Sequence, residues 1–288
     1  MKNMKTVGIL IMLILFSVAG AWAESNTFSN SISNLNTINS NSISNLSTSN
    51  FIVATTNSFN IASADSTATL GSLEIPMFSS FVSRGRVFQN ETVLEPNVTV
   101  IKPTSVGSFS INTWGNMGAE NTTFNEVDLT LGYTDTKGKL TYGAGLIEYI
   151  YSGQNIANTR EGYISATYSV LFNPSLALYY DFKEAKGFYG VASIGHTIQL
   201  LDKISATVDT GLGFGNENYN EFYFAVADDA INDWSSGLTL NVSPISQVGL
   251  VASIRYVDLL DSKIKSGAKA IYGSGDEVVG KVGLTYGF

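Results

Sequence analysis

Five tyrosines stand where a chain could grip a passing molecule. Tyr149, Tyr151, Tyr163, Tyr179 and Tyr189 share one parity on four successive alternating segments. A phenol ring stacks on apolar faces and still hydrogen-bonds through its hydroxyl. Such a set either narrows a passage and selects what moves through it, or fills an interior by packing. The same parity carries the charges Glu95, Glu126, Asp128, Asp181 and Asp209 against Arg255 and Lys281, with Arg84 and Arg86 expected at the mouth. An acidic excess in a lumen raises the local concentration of cations, which predicts a weak cation preference. The stretch 215–233 adds Glu217, Glu221, Asp228, Asp229 and Asp233 and no cation. It lacks the spaced ligands of a dedicated calcium loop, so its charge reads as part of an acidic mouth or as ordinary solvated loop charge.

Covalent chemistry has little to work with. The chain has no Cys, hence no disulfide, thiolate metal site or lipid-anchoring cysteine. Its one histidine, His196, has outward parity and is followed by Thr197, with no activated-nucleophile motif around it and no identifiable Ser or acid partner. A lipid hydrolase is therefore the weakest reading. The chain reads as a non-enzyme with no cofactor and no metal. A formal net charge of −8 argues against nucleic acid, whose phosphates need clustered cations.

The elements that must position these residues are short alternating segments. Twelve run through the chain, at 74–82, 94–101, 108–117, 126–134, 140–151, 162–170, 175–182, 188–198, 203–214, 234–243, 247–257 and 278–288. In 126–134, Val127, Leu129, Leu131 and Tyr133 face one side, and Glu126, Asp128, Thr130 and Gly132 the other. A strand has a side-chain period of two, so this is a two-faced strand. Glu148 falls on the apolar face of its segment, which predicts a bulge there. Short connections (102–107, 135–139, 172–174, 199–202, 244–246) alternate with mostly longer ones (84–93, 116–125, 152–161, 183–187, 215–233, 258–276). Aromatic residues of outward parity gather at both ends of the segments. Phe182, Phe188, Phe214, Trp234 and Tyr256 lie beside the long loops, and Phe109, Tyr133, Tyr142, Tyr168, Tyr286 and Phe288 beside the short turns. Two aromatic rows, short turns and longer loops predict an all-β transmembrane antiparallel up-and-down barrel of about 12 strands, with both ends periplasmic. A soluble β-sandwich would require neither aromatic row.

An interior of small polar residues, such as Gly143, Ser165, Thr207, Ser235 and Thr285, leaves room for water and predicts an open lumen, especially toward the short turns. Some of the glycines would serve curvature alone.

Before the fold, Lys2 and Lys5 precede an apolar run 7–19 and Ala21-Trp22-Ala23, the pattern of a cleaved signal peptide over 1–23. A membrane-anchoring helix is the alternative, although the run is short for a span. Residues 24–72 are rich in Asn, Ser and Thr, and a heptapeptide at 29–35 recurs unchanged at 40–46. These residue types compete for backbone hydrogen bonds, which predicts a loose linker. The 11-residue period alternatively places Ile32, Leu35, Ile43 and Leu46 on the seam of a short coil. The barrel is expected over 73–288.

The last strand ends on Phe288 and resembles the terminal strand of bacterial outer-membrane barrels. That resemblance implies that Tyr286 and Phe288 are an assembly signal read by the barrel-assembly machinery. The stretch 79–89, with Ser80, Phe81, Arg84 and Gly85, resembles the opening of the TorF family of porin-like proteins. Further matches are Thr113 to Asn116, Glu126 to Tyr133 and Tyr142 to Tyr151. The resemblance implies an outer-membrane channel of the Gram-negative envelope for small solutes, surrounded by outer-membrane lipids. A structural or adhesive barrel without an open pore is the alternative. No flat apolar interface marks an oligomeric state. A peptide of residues 24–70 is expected to give a coil circular-dichroism spectrum, and a helical one would favour the coil with the 11-residue seam.

Overall fold

The computed structural model describes residues 68–120, 123–152 and 156–288. The expected signal peptide and most of the linker lie outside the described residues.

Strands β1 (Leu70–Phe78), β4 (Val93–Leu94), β5 (Asn97–Thr104), β6 (Gly107–Gly118), β7 (Phe124–Lys137), β8 (Leu140–Tyr151), β9 (Thr159–Tyr168), β10 (Ser175–Asp181), β11 (Phe188–Leu201), β12 (Ile204–Gly215), β13 (Ala230–Ile245), β14 (Val248–Leu259) and β15 (Asp276–Gly287) make one antiparallel sheet. β4 and β5 pair in succession along both β1 and β6, so they are one stave interrupted at Glu95–Pro96, and the staves number twelve. β1 pairs β15 from Ser72↔Gly287 to Phe78↔Lys281, which closes the sheet on itself. Gly71 and Phe288 exchange both backbone hydrogen bonds at the seam. A closed barrel leaves no edge strand with unpaired amides.

Pro76 shows how sequence shapes the interruption. It has no N–H to donate, and it sits where β1 faces the Glu95–Pro96 break, accepting from the Glu95 amide at 3.0 Å.

Alternation sorts the side chains as the sequence predicts. On β7, Leu129 and Leu131 are exposed outward, whereas Glu126, Asp128, Thr130 and Thr134 are buried inward. Ile75, Phe109, Ile164, Phe188, Val208, Leu238, Ile254 and Leu284 continue the exposed apolar face around the barrel. The long strands, 12 residues or more in β6, β7 and β8, exceed the 9–11 residues that a tilted strand needs to span a bilayer.

Four expectations are corrected. No bulge occurs at Glu148, because β7 and β8 pair without a register shift from Glu126↔Tyr151 to Lys137↔Leu140. Glu148 stays on the outward face and is paired with Arg160, its directly opposed neighbour on β9. The first strand ends at Phe78, and residues beyond it form a separate hairpin of β2 (Phe81–Ser83) and β3 (Arg86–Gln89). The acidic stretch 215–233 is not an open loop, because it holds helix α1 (Glu217–Phe224), capped by Asn216, whose side chain accepts from the Tyr219 amide. Likewise the last long connection holds α2 (Ser262–Tyr272), where Asp261 caps the amides of Lys263 and Ile264.

The seam register predicts a test. In a chain without native Cys, Glu74→Cys with Thr285→Cys, which are direct partners, should oxidise to an intramolecular disulfide, since opposed Cα atoms lie at ~4.5–5.5 Å. Glu74→Cys with Gly283→Cys, a diagonal pair, should not. Gel mobility of the folded, unheated protein reads both outcomes.

Candidate functional site

The β2–β3 hairpin lies inside the barrel at the end that carries the long loops. Its two-residue turn, Arg84-Gly85, has φ of 50° and 78°. A two-residue hairpin turn of this mirror-image type favours Asn-Gly, because both residues have left-handed backbone. Gly85 meets that need at no steric cost, and a Cβ there would strike the Leu259 side chain. Arg84 meets it under strain, of the kind that functional positions retain. Behind the tip, Phe81, Val82 and Val87 pack with Phe78, Trp114, Val257 and Val279. Phe81 stacks on Phe88 at 5.1 Å and tilts against Trp114 at 5.5 Å.

The tip reaches the opposite wall. There the register sets Tyr163, Tyr179 and Tyr189 in one row across β9, β10 and β11. Ring contacts run on from Tyr189 to Tyr219 at 5.2 Å and to Tyr223 at 4.6 Å, both on α1. Burial holds the Tyr219 and Tyr223 phenols above their ordinary value, so they stay neutral. The Arg84 guanidinium sits among these rings, 4.4 Å from the Tyr179 centroid and 4.6 Å from that of Tyr189. Glu161 forks it, accepting from the two terminal nitrogens at 2.7 and 2.6 Å. The Tyr149 hydroxyl donates to the same carboxylate at 2.7 Å. Arg86 turns back instead, donating from Nε to the Ser83 carbonyl at 3.1 Å and lying 4.0 Å over the Tyr223 ring.

The expected constriction residues thus come together in large part. Tyr149, Tyr163, Tyr179 and Tyr189 belong to one buried cluster, with Tyr151 partly buried at its border. One expectation about placement changes. The Arg84 and Arg86 side chains are buried inside the barrel rather than standing at the mouth, because the hairpin folds inward. The hairpin occupies part of the loop end of the lumen. Cavities beside the hairpin measure about 20 Å³, lined by Ser80, Glu95 and Arg255 among others, and about 10 Å³, beside Arg84, Glu126 and Glu161. Each has room for about one water.

The lumen charges are dispersed. Glu126, Asp128, Asp181 and Asp209 are buried, as is Glu95 at the break between β4 and β5. Asp181 accepts from the amides of Lys183 and Glu184 and from the Thr159 hydroxyl, which ties down the next turn. Arg255 donates to Asp209 at 2.6 Å. It crosses Gly237, the residue between them in the register, where a Cβ would meet the guanidinium. Lys281 lies 5.3 Å from the Phe78 ring. Two lumen carboxylates, Glu161 and Asp233, were assigned to loops by the sequence. Asp233 accepts from the Tyr189 hydroxyl at 3.0 Å. Their parity with Tyr163 and Ser235 was the available signal. Two other acidic residues of 215–233 are engaged: Asp229 caps the Glu217 amide, and Asp228 pairs Lys263 of α2 at 2.5 Å.

Outside this site, Tyr286 and Phe288 are exposed and stacked at 6.3 Å beside the seam. His196 sits edge-on to Phe172. Among the described residues, no three His, Cys, Asp or Glu side chains gather to hold a metal ion.

A family described as "Bacterial protein of unknown function (Gcw_chp)" matches residues 61–286. The chain belongs to this family. No curated protein matches the chain. Among solved structures it is similar to the NanC porin at 13% identity and TM-score 0.47, over 74% of this chain and 98% of that one. It is similar to the KdgM porin at 12% and 0.45, over 77% and 99%. It is also similar to an outer membrane channel from Pseudomonas putida F1 at 10% and 0.44, over 78% and 97%.

Gly85→Ala tests the seating of the hairpin. A side chain there adds left-handed strain and a clash with Leu259, so the variant should lose about 1–3 kcal/mol of unfolding free energy in a urea titration of the folded barrel. An unchanged midpoint would mean that the tip is not seated against Leu259.

Proposed function

We propose that the protein is an outer-membrane channel for passive diffusion of small solutes, narrowed at its loop end by the β2–β3 hairpin. The observation that carries this reading is the division of the barrel wall. Its outward face is apolar between rows of exposed aromatics that include Phe182, Phe188, Phe109 and Tyr168, and its inward face is polar and charged. Lipid selects the first face and a wet interior the second. The long loops would face outward and both chain ends the periplasm, after removal of a signal peptide over 1–23. Tyr286 and Phe288 would then serve the assembly machinery. The motif Ser80, Phe81, Arg84 and Gly85, which resembles the opening of the TorF family, would build the constriction. A bulk cation preference is not part of this reading, because Arg84 and Arg255 pair directly with Glu161 and Asp209 and take two of the lumen carboxylates out of the field. The barrel is read as a non-enzyme, its one histidine, His196, lying outside this site beside Phe172.

A second reading, a structural barrel without a through-pore, is favoured by the water-sized cavities beside the hairpin. Liposome swelling separates the two. Vesicles carrying the folded protein should swell in small sugars or amino acids, and replacing 81–89 by a short Gly-Ser link should raise the rate several-fold. Swelling only after the replacement would make the hairpin a permanent plug. No swelling in either case would end the channel reading.

A further inference from the structure

The pocket around Arg84 is built entirely by other parts of the chain. Glu161 comes from β9, Tyr149 from β8, Tyr179 from β10 and Tyr189 from β11. Two of its rings are held by bonds to groups other than Arg84: Tyr149 donates to Glu161 at 2.7 Å, and Tyr189 donates to Asp233 at 3.0 Å. A carboxylate that forks a planar cation, flanked by aromatic faces, is the arrangement that a guanidinium takes in preference to an ammonium. Its present occupant arrives on a hairpin that forms a two-stranded sheet of its own and is not paired into the barrel wall. That hairpin presents Arg84 from a left-handed backbone, where a side chain other than Asn or Asp is uncommon. The cavity beside the pair, about 10 Å³, admits nothing larger than a water while Arg84 is in place.

We propose that this cage is a binding site for guanidinium-bearing solutes and that Arg84 is its built-in occupant. A solute with the same head group competes with Arg84 for Glu161 and the tyrosine faces, and the hairpin tip withdraws when it succeeds. The inference rests on the channel reading for its transport consequence, but not for binding. The cage selects by geometry. A guanidinium satisfies both carboxylate oxygens and both rings at once, whereas an alkylammonium of equal size offers a point charge.

The test uses the full refolded chain with Arg84→Ala, and N-ethylguanidinium as the probe. Its thermal midpoint should rise saturably with N-ethylguanidinium, because a ligand that binds only the folded state stabilises it by mass action. n-Propylammonium at equal ionic strength should need about tenfold higher concentration for the same rise. Adding Glu161→Gln should remove the response to both. The wild type should respond only at much higher concentration, since Arg84 holds the site. Arg84→Gly, which relieves the left-handed strain, is read in the same way and serves if the alanine variant does not fold. Equal responses to the two cations, or none that saturates, overturn the proposal. Planar-bilayer current separates it from the channel reading. Selective binding with no current through the barrel leaves the cage standing and removes the channel. Current through the barrel without selective binding does the reverse.

Discussion

The salt bridge between Arg84 and Glu161 is the constraint around which the loop end of the barrel is organised. Both side chains are almost fully buried. Taking two charges out of water is expensive, and the cost is recovered only with excellent geometry and with every remaining donor and acceptor engaged. The fold meets those terms. Glu161 accepts a fork and a phenol, and the guanidinium rests against the rings of Tyr179 and Tyr189, the latter tied to Asp233. The left-handed turn at Arg84-Gly85, the glycine pressed against Leu259 and the tyrosine row across three strands all follow from placing that one cation. The helices complete the enclosure, since the Tyr272 hydroxyl of α2 donates to the Tyr223 carbonyl of α1 at 2.8 Å.

The barrel wall answers a different constraint. Its outward face is covered by exposed apolar side chains, and the ion pair of Glu148 with Arg160 interrupts it. That pair lies level with the aromatic row of the loop end, because the Phe182 amide donates to the Arg160 carbonyl at 3.1 Å. Charges are tolerated near a bilayer boundary far better than at its midplane. Opposed residues on neighbouring strands can also neutralise each other, so no bulge is needed to turn Glu148 inward.

Strand count, alternation and the aromatic rows were legible in the sequence because each is a local, period-two signal. The tyrosines were legible for the same reason: parity alone places Tyr163, Tyr179 and Tyr189 on one face. What fills the lumen was not legible. Only two residues separate the end of β1 from the start of β2, so the segment 74–82 merged β1 with β2. Nothing in residues 79–92 announces a chain that folds inward, except the pairing of a left-handed turn with arginine at Arg84-Gly85. Glu161 and Asp233 were hidden at strand ends, where boundaries read from sequence slip by a few residues. The helices α1 and α2 escaped notice because their apolar residues pack against one another and against the tyrosines of the barrel wall, a partner invisible along the chain.

The central claim is that Arg84 and Glu161 are coupled inside the lumen. A double-mutant cycle on Arg84→Ala and Glu161→Ala, read by urea unfolding of the refolded barrel in one lipid, measures that coupling directly. Each single change strands a buried partner and should cost about 3–5 kcal/mol, while the double variant should cost far less than their sum. Single effects that add to within about 0.5 kcal/mol would contradict the account, since independent sites behave that way.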